Sequence, residues 1–147
     1  MKLAFGADHA GFKLKETLKN HMENLGYQTI DCGTNSEDRV DYPDFGKKVG
    51  EMVSKKEVDF GIIVCGSGIG ISIAANKIKG VRAALCSEPY SAKLARLHND
   101  ANIVALGARL IGEDMAKKIV ENFVTEKFEG GRHCGRIEKI AEIEKDY

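Results

Sequence analysis

"FGIIVCGSGIGISIAA", residues 60–75, decides the fold. Phe60–Cys65 is an apolar run of strand length, glycines follow at 66, 68 and 70, and a helix starts near Ile69. A strand that passes through a tight glycine turn into a helix is half of a βαβ unit, the element from which parallel sheets are built. Working outward, the same alternation recurs. Strand-like runs are Lys2–Gly6, Tyr27–Cys32, Val81–Cys86 and Asn102–Leu106. Between them, Leu14, Leu18, Met22 and Leu25 repeat at helical spacing, as do Phe45, Val49, Met52 and Val53, and Met115, Ile119, Val120 and Phe123. After Gly130 a terminal helix carries Ile137, Ile140 and Ala141 on its apolar side.

The pattern predicts one domain over residues 1–147, without repeats or linkers. Its expected class is α/β: a Rossmann-like three-layer sandwich around a five-stranded parallel sheet in the order 2-1-3-4-5, plus the C-terminal helix. In that order ligands bind where the winding reverses, between the carboxyl ends of strands 1 and 3. Strand 1 runs into Asp8-His9-Ala10-Gly11, and strand 3 into Cys65-Gly66-Ser67-Gly68-Ile69-Gly70. Two polar, glycine-bearing turns therefore face one crevice.

Composition narrows the partners. The 22 basic and 22 acidic residues cancel, which argues against general nucleic-acid binding. No apolar run approaches a membrane span, and the opening "MKLAFGADHAG" is too soon interrupted for a signal peptide. A cytoplasmic location is expected. Cys32, Cys65, Cys86 and Cys134 form no CxxC pair and no zinc pattern, so no metal site is expected and each is judged alone.

The glycine loop lacks the Gly-Lys-Ser/Thr ending of a Walker A motif, and its third glycine falls at the wrong spacing for a dinucleotide fingerprint. Such a turn bares amides that suit an anion or a developing oxyanion. The bland alternative is a turn needing glycine only for its backbone angles. Cys65 is either a small core residue or a reactive thiol beside a helix start. Cys32, Cys86 and Cys134 read as structural, and His21 as a surface or boundary residue in a helix. His9 lies at the crevice beside Asp8, whereas His98 lies between helix 4 and strand 5, at the opposite rim. A functional His98 would have to serve a neighbouring subunit; otherwise it helps end its helix. Arg132 and Arg136, four apart, suit a phosphate or a solvated charged turn, and Arg109 follows strand 5.

Taken together, "GADHAGFKLK" at 6–15, "DYPDFG" at 41–46, "CGSGIGISIAANK" at 65–77, "SEPYSAKLARLHNDANIVALGARLIG" at 87–112 and "GGRH" with Arg136 closely resemble the ribose-5-phosphate isomerase B family, which includes galactose-6-phosphate isomerase subunits. The resemblance implies reversible aldose–ketose isomerisation of ribose 5-phosphate to ribulose 5-phosphate through an enediolate, with no metal and no cofactor. A six-carbon aldose 6-phosphate, such as allose or galactose 6-phosphate, is the alternative substrate. The resemblance also implies a homodimer with shared active sites, in some members a tetramer. By position, Cys65 would be the base. Ser67 with Gly66, Gly68 and Gly70 would hold the enediolate, and Asp8 and His98 would open the ring. Tyr42 and Asn99 would contact the sugar, and His9, Arg109, Arg132 and Arg136 the phosphate. Relatives often carry threonine at the Ser67 position, which keeps the hydroxyl. A second branch uses glutamate directly after the loop, where this chain has Ile71. Two other classes compete with this reading: a non-enzymatic flavodoxin-like module, and a cysteine hydrolase or phosphatase, whose C-x5-R loop is missing because Ile71 takes the arginine's place.

Overall fold

The runs of Val, Ile, Leu and Ala do form a five-stranded, all-parallel sheet in the computed structural model, which describes residues 1–147. The strands are β1 (Lys2–Ala7), β2 (Gln28–Asp31), β3 (Phe60–Cys65), β4 (Ala83–Leu85) and β5 (Ile103–Gly107). The helices are α1 (Phe12–Asn24), α2 (Tyr42–Ser54), α3 (Ile69–Ala75), α4 (Pro89–Asn99), α5 (Glu113–Thr125) and α6 (Cys134–Ile143), with a 3₁₀ turn at Gly131–His133.

The sheet order is β2-β1-β3-β5-β4, so the last two strands exchange the places expected of them. The cause is burial. Every residue of β5 is buried, as an apolar strand between two neighbours should be, and it pairs with β3 on one side and β4 on the other. β4 is three residues long, none of them buried, and Arg82 precedes it; it belongs on an edge. The exchange also moves a helix. Right-handed crossovers carry α2 and α3 over one face as the chain steps outward. The step from β4 back to β5 reverses direction and puts α4 on the other face, with α1 and α5.

Two cores result. Leu3, Phe5, Ile62, Val64, Val104 and Leu106 point to α1, α4 and α5, where Leu18, Met22, Ile119 and Phe123 meet them. The alternate residues Ala4, Ile63, Cys65, Ile103 and Ala105 point to α2 and α3, against Phe45, Val49, Ile71 and Ala75. Period-two alternation in the strands thus feeds both layers, and each fully buried Leu, Ile or Phe contributes about 1.5–3 kcal/mol relative to exposure.

Two apolar positions depart from their periodic pattern. Leu25 is 53% exposed, because α1 has ended and the chain turns at Gly26 with φ 96°. Met115, in the first turn of α5, is 43% exposed. The terminal helix α6 buries nothing: Ile140 and Ile143 stand in the open. One of its tethers is the Glu144 carboxylate, which accepts the Gly80 N–H at 2.8 Å just before β4.

Candidate active site

Parallel strands deliver their carboxyl ends to one rim, and three adjacent strands build the cleft there. Behind β1 come Asp8 and His9, behind β3 Cys65 to Gly70, and behind β5 Arg109. The exchanged strand order matters to this wall. Because β5 lies directly against β3, Cys65 pairs with Gly107. The N–H groups of Ala108 and Arg109 then donate to the carbonyls of Cys65 and Gly66 at 2.9 and 3.0 Å. An intervening β4 would have carried Arg109 away from the cysteine loop.

The cleft, about 340 Å³, is lined by Asp8, His9, Ala10, Tyr42, Cys65, Gly66, Ser67, Gly70, Arg109 and Leu110. A broader depression of about 600 Å³ shares Asp8, His9 and Tyr42 with it and continues along Arg39 to Asp44.

Cys65 ends β3 on the α2–α3 face and is 4% exposed. Its Sγ accepts the N–H of Gly68 at 3.1 Å. That amide points at the sulfur because Gly68 has φ 77°, a left-handed conformation that L side chains rarely adopt. Its space is closed as well, since a Cβ there would lie 2.8 Å from the Leu106 carbonyl carbon. The Ser67 hydroxyl accepts the N–H of Ile69 at 3.2 Å and lines the same cleft as Cys65. Burial pushes the thiols of Cys32 and Cys86 up, which keeps them protonated and inert.

The facing turn is equally organised. Asp8, 7% exposed, accepts the Gly11 N–H at 3.0 Å. His9 Nδ1 lies 3.2 Å from both the N–H and the carbonyl of Val40. When Nδ1 accepts from the amide, the proton resides on Nε2, ready to donate to an anion. Tyr42 opens α2 after Asp41, followed by Pro43 in the first turn. Its ring lies on Gly70, where a Cβ would come within 2.7 Å of Tyr42 Cε1. Arg109 lies over Gly66 in the same manner.

The structure thus brings Asp8, His9, Tyr42, Cys65, Gly66, Ser67, Gly70 and Arg109 to one cleft, with Gly68 beneath the sulfur. It does not bring His98, Asn99, Arg132 or Arg136 there. His98 and Asn99 end α4, which runs back to the rim where β5 begins. Arg132 lies in the 3₁₀ turn and Arg136 in α6, both exposed. The His98 ring stacks instead on His133, the residue after Arg132, with centroids 4.5 Å apart.

Sequence reasoning missed three features. Lys15 is fully buried, with Nζ 2.7 Å from Asp31 Oδ1 and 2.8 Å from the Thr34 carbonyl. It anchors the segment that carries Val40 to His9. Burial alone would raise the Asp31 carboxyl, but hydrogen bonds from Lys15, the Gly33 amide and Lys19 override it and hold the group at about 2. Arg39 joins the outer depression, and Glu129 joins the His98–His133 pair. The "GGRH" stretch was the available signal for His133; Lys15 and Glu129 had none.

Comparison with known proteins places the chain in a family. Residues 3–140 match the family model described as Ribose/Galactose Isomerase. Ribose-5-phosphate isomerase B of Escherichia coli is 51% identical over 144 residues, covering 98% of this chain and 97% of its own. The Clostridium thermocellum ribose-5-phosphate isomerase B structure superposes with a TM-score of 0.99 at 52% identity, covering 100% and 99% of the two chains. That of the Mycoplasma genitalium protein, solved with bound ribulose-5-phosphate, gives 0.95 at 40% identity, covering 99% and 97%. With a match over nearly its whole length in sequence and in structure, the chain belongs to the ribose/galactose isomerase family.

Proposed function

We propose that this chain interconverts ribose 5-phosphate and ribulose 5-phosphate with Cys65 as the proton-transferring base. The observation that carries the reading is the Cys65 sulfur under the Gly68 amide, at the edge of a cleft with Ser67, Asp8, His9 and Arg109. The thiolate takes the proton from C2 of the open aldose, and the electron pair moves to O1 as the enediolate. The O2 hydroxyl proton shifts to O1, and Cys65 returns its proton to C1, leaving the carbonyl at C2. Atoms and electrons balance within the substrate, so no external oxidant or reductant enters. The Ser67 hydroxyl and the loop amides stabilise the oxyanion, and such preorganised donors commonly lower the barrier more than the base does. General-base transfer itself contributes about 10²–10⁴-fold. His9 and Arg109 hold the phosphate, and that remote binding fixes the sugar over the sulfur. Tyr42 contacts the sugar, and Asp8 assists ring opening.

His98, Asn99, Arg132 and Arg136 complete the site from a second copy of the chain. Two features support this arrangement: His98 and Asn99 end α4 at the opposite rim of their own subunit, where His98 stacks on the residue after Arg132, and the apolar face of α6 is uncovered. A homodimer with shared sites satisfies both, and pairing of dimers into a tetramer is compatible with it. The same reading places the enzyme in the cytoplasm, where its four free cysteines stay reduced. No helix is long and apolar enough to cross a membrane. Measuring kcat/KM for ribose 5-phosphate, allose 6-phosphate and galactose 6-phosphate side by side tests the substrate. Ribose 5-phosphate should lead by at least about tenfold. A six-carbon phosphate in the lead would move the assignment to the longer sugar.

A further inference from the structure

His98 is held unusually firmly for a residue at the end of a helix. Its ring stacks on His133 with centroids 4.5 Å apart and planes 16° from parallel. Glu129 Oε2 lies 4.0 Å from His98 Nε2 and 3.4 Å from His133 Nε2. The Glu129 N–H donates to the Leu97 carbonyl at 3.1 Å, clamping the approach to the 3₁₀ turn onto the last turn of α4. Arg96, 7% exposed, fixes that turn from the inside through Asp100 Oδ1 at 2.8 Å and the Ala101 carbonyl at 2.6 Å.

His133 itself is anomalous. It is 5% exposed, and its buried Nε2 makes no hydrogen bond although the Glu129 carboxylate lies 3.4 Å away. Native folds rarely leave such an atom orphaned without a use for the side chain. The three residues have the composition of a metal-ligand set, with ligand atoms within 4.8 Å of one another. The stacked rings defeat that reading. An imidazole binds a metal along the lone pair in its own plane, and two nearly parallel planes offer no shared position. What the geometry does provide is a flat support for the His98 ring and one carboxylate at the nitrogen edge of both rings.

We propose that His133 and Glu129 are positioning residues for His98: the His133 ring sets the plane of the His98 ring, and the Glu129 carboxylate sets its rotation. This rests on the reading that His98 opens the sugar ring in the neighbouring subunit's cleft. Displacing a catalytic group by about 1 Å costs about 10²-fold, so an unsupported ring would lose much of its effect without leaving the site.

The test uses a difference between the two substrates. Ribose 5-phosphate closes a five-membered ring through O4, whereas ribulose 5-phosphate cannot close one, because its O5 carries the phosphate. Turnover of the aldose therefore needs ring opening, while solvent-deuterium exchange at C1 of the ketose needs only the Cys65 step. For His133→Ala we expect kcat on ribose 5-phosphate to fall about 10- to 100-fold, with KM within about twofold and C1 exchange within about threefold of the parent. His133→Phe, which restores a flat ring, should recover most of kcat. Glu129→Gln, at a half-exposed site, should lower kcat several-fold in a normally folded protein. Unchanged kcat in His133→Ala, parallel loss of exchange and turnover, or a His133→Phe variant no better than His133→Ala would each overturn the proposal. His98→Asn separates the failures. If it turns over ribose 5-phosphate normally, the ring-opening reading falls and takes this one with it. If it is slow while His133→Ala and Glu129→Gln are normal, only the positioning role falls.

Discussion

Replacing Lys15 with Met tests how the wall of the cleft is held. The Lys15 side chain is completely buried, and its Nζ meets Asp31 Oδ1 at 2.7 Å, the Thr34 carbonyl at 2.8 Å and Glu16 Oε1 at 3.0 Å. Met fills similar volume but leaves the Thr34 carbonyl and one Asp31 oxygen without this partner. Breaking a buried pair costs about 3–5 kcal/mol. Asp31 is only partly enclosed, with its side chain 25% exposed, and it keeps Lys19 at 3.0 Å and the Gly33 N–H at 2.9 Å. The expected loss is therefore about 2–3 kcal/mol after allowing for solvent screening. At this chain length that corresponds to a fall in Tm of about 4–12 °C.

The loss should depend on pH with a definite sign. Asp31 is held at about 2, below its ordinary value of 3.8. Its pairing therefore stabilises the fold in full above about pH 4 and is lost as pH falls from there toward about 2. Urea unfolding of parent and Lys15→Met at neutral pH, then in steps down to about pH 2.5, reads both quantities. The gap should narrow below about pH 4. A gap under about 0.5 kcal/mol at neutral pH, or one unchanged over the whole range, would mean that Lys15 does not hold the wall in this way.

Two further outcomes follow from the cleft. Gly70→Ala sets a Cβ against the Tyr42 ring, within 2.7 Å of Cε1, so the ring must leave the sugar side; kcat/KM should fall about tenfold or more, and an unchanged value would remove Tyr42 from the site. Mixing inactive Cys65→Ala and His98→Ala subunits should restore up to about a quarter of parental activity, because half the dimers are mixed and each holds one intact site of two. No recovery after subunit exchange is confirmed by mass would count against shared sites.

How far the sequence reaches depends on the kind of fact. Strand–helix alternation is local, so the five strands and the crevice at Asp8 and Cys65 were legible in it. The places of β4 and β5 depend on which strand is covered on both sides. The uninterrupted apolar run of Ile103–Gly107 and the arginine before Ala83 were the available clues. Lys15 looked like one more polar residue on a helix; its partner Asp31 is sixteen positions away, and only packing joins them. His98 was legible as remote from the crevice because α4 must run back across the sheet. Its stack on His133 was not, because it needs the docking of the turn after α5 onto α4.

Everything in the proposed mechanism turns on Cys65 moving the substrate proton. The sharpest check is solvent-deuterium incorporation at C1 of ribulose 5-phosphate, followed by proton NMR with Cys65→Ala at saturating ketose. The expected result is a loss of at least about 10³-fold while the ketose phosphate still binds. Exchange within about tenfold of the parent would contradict the mechanism and move the proton transfer to another group.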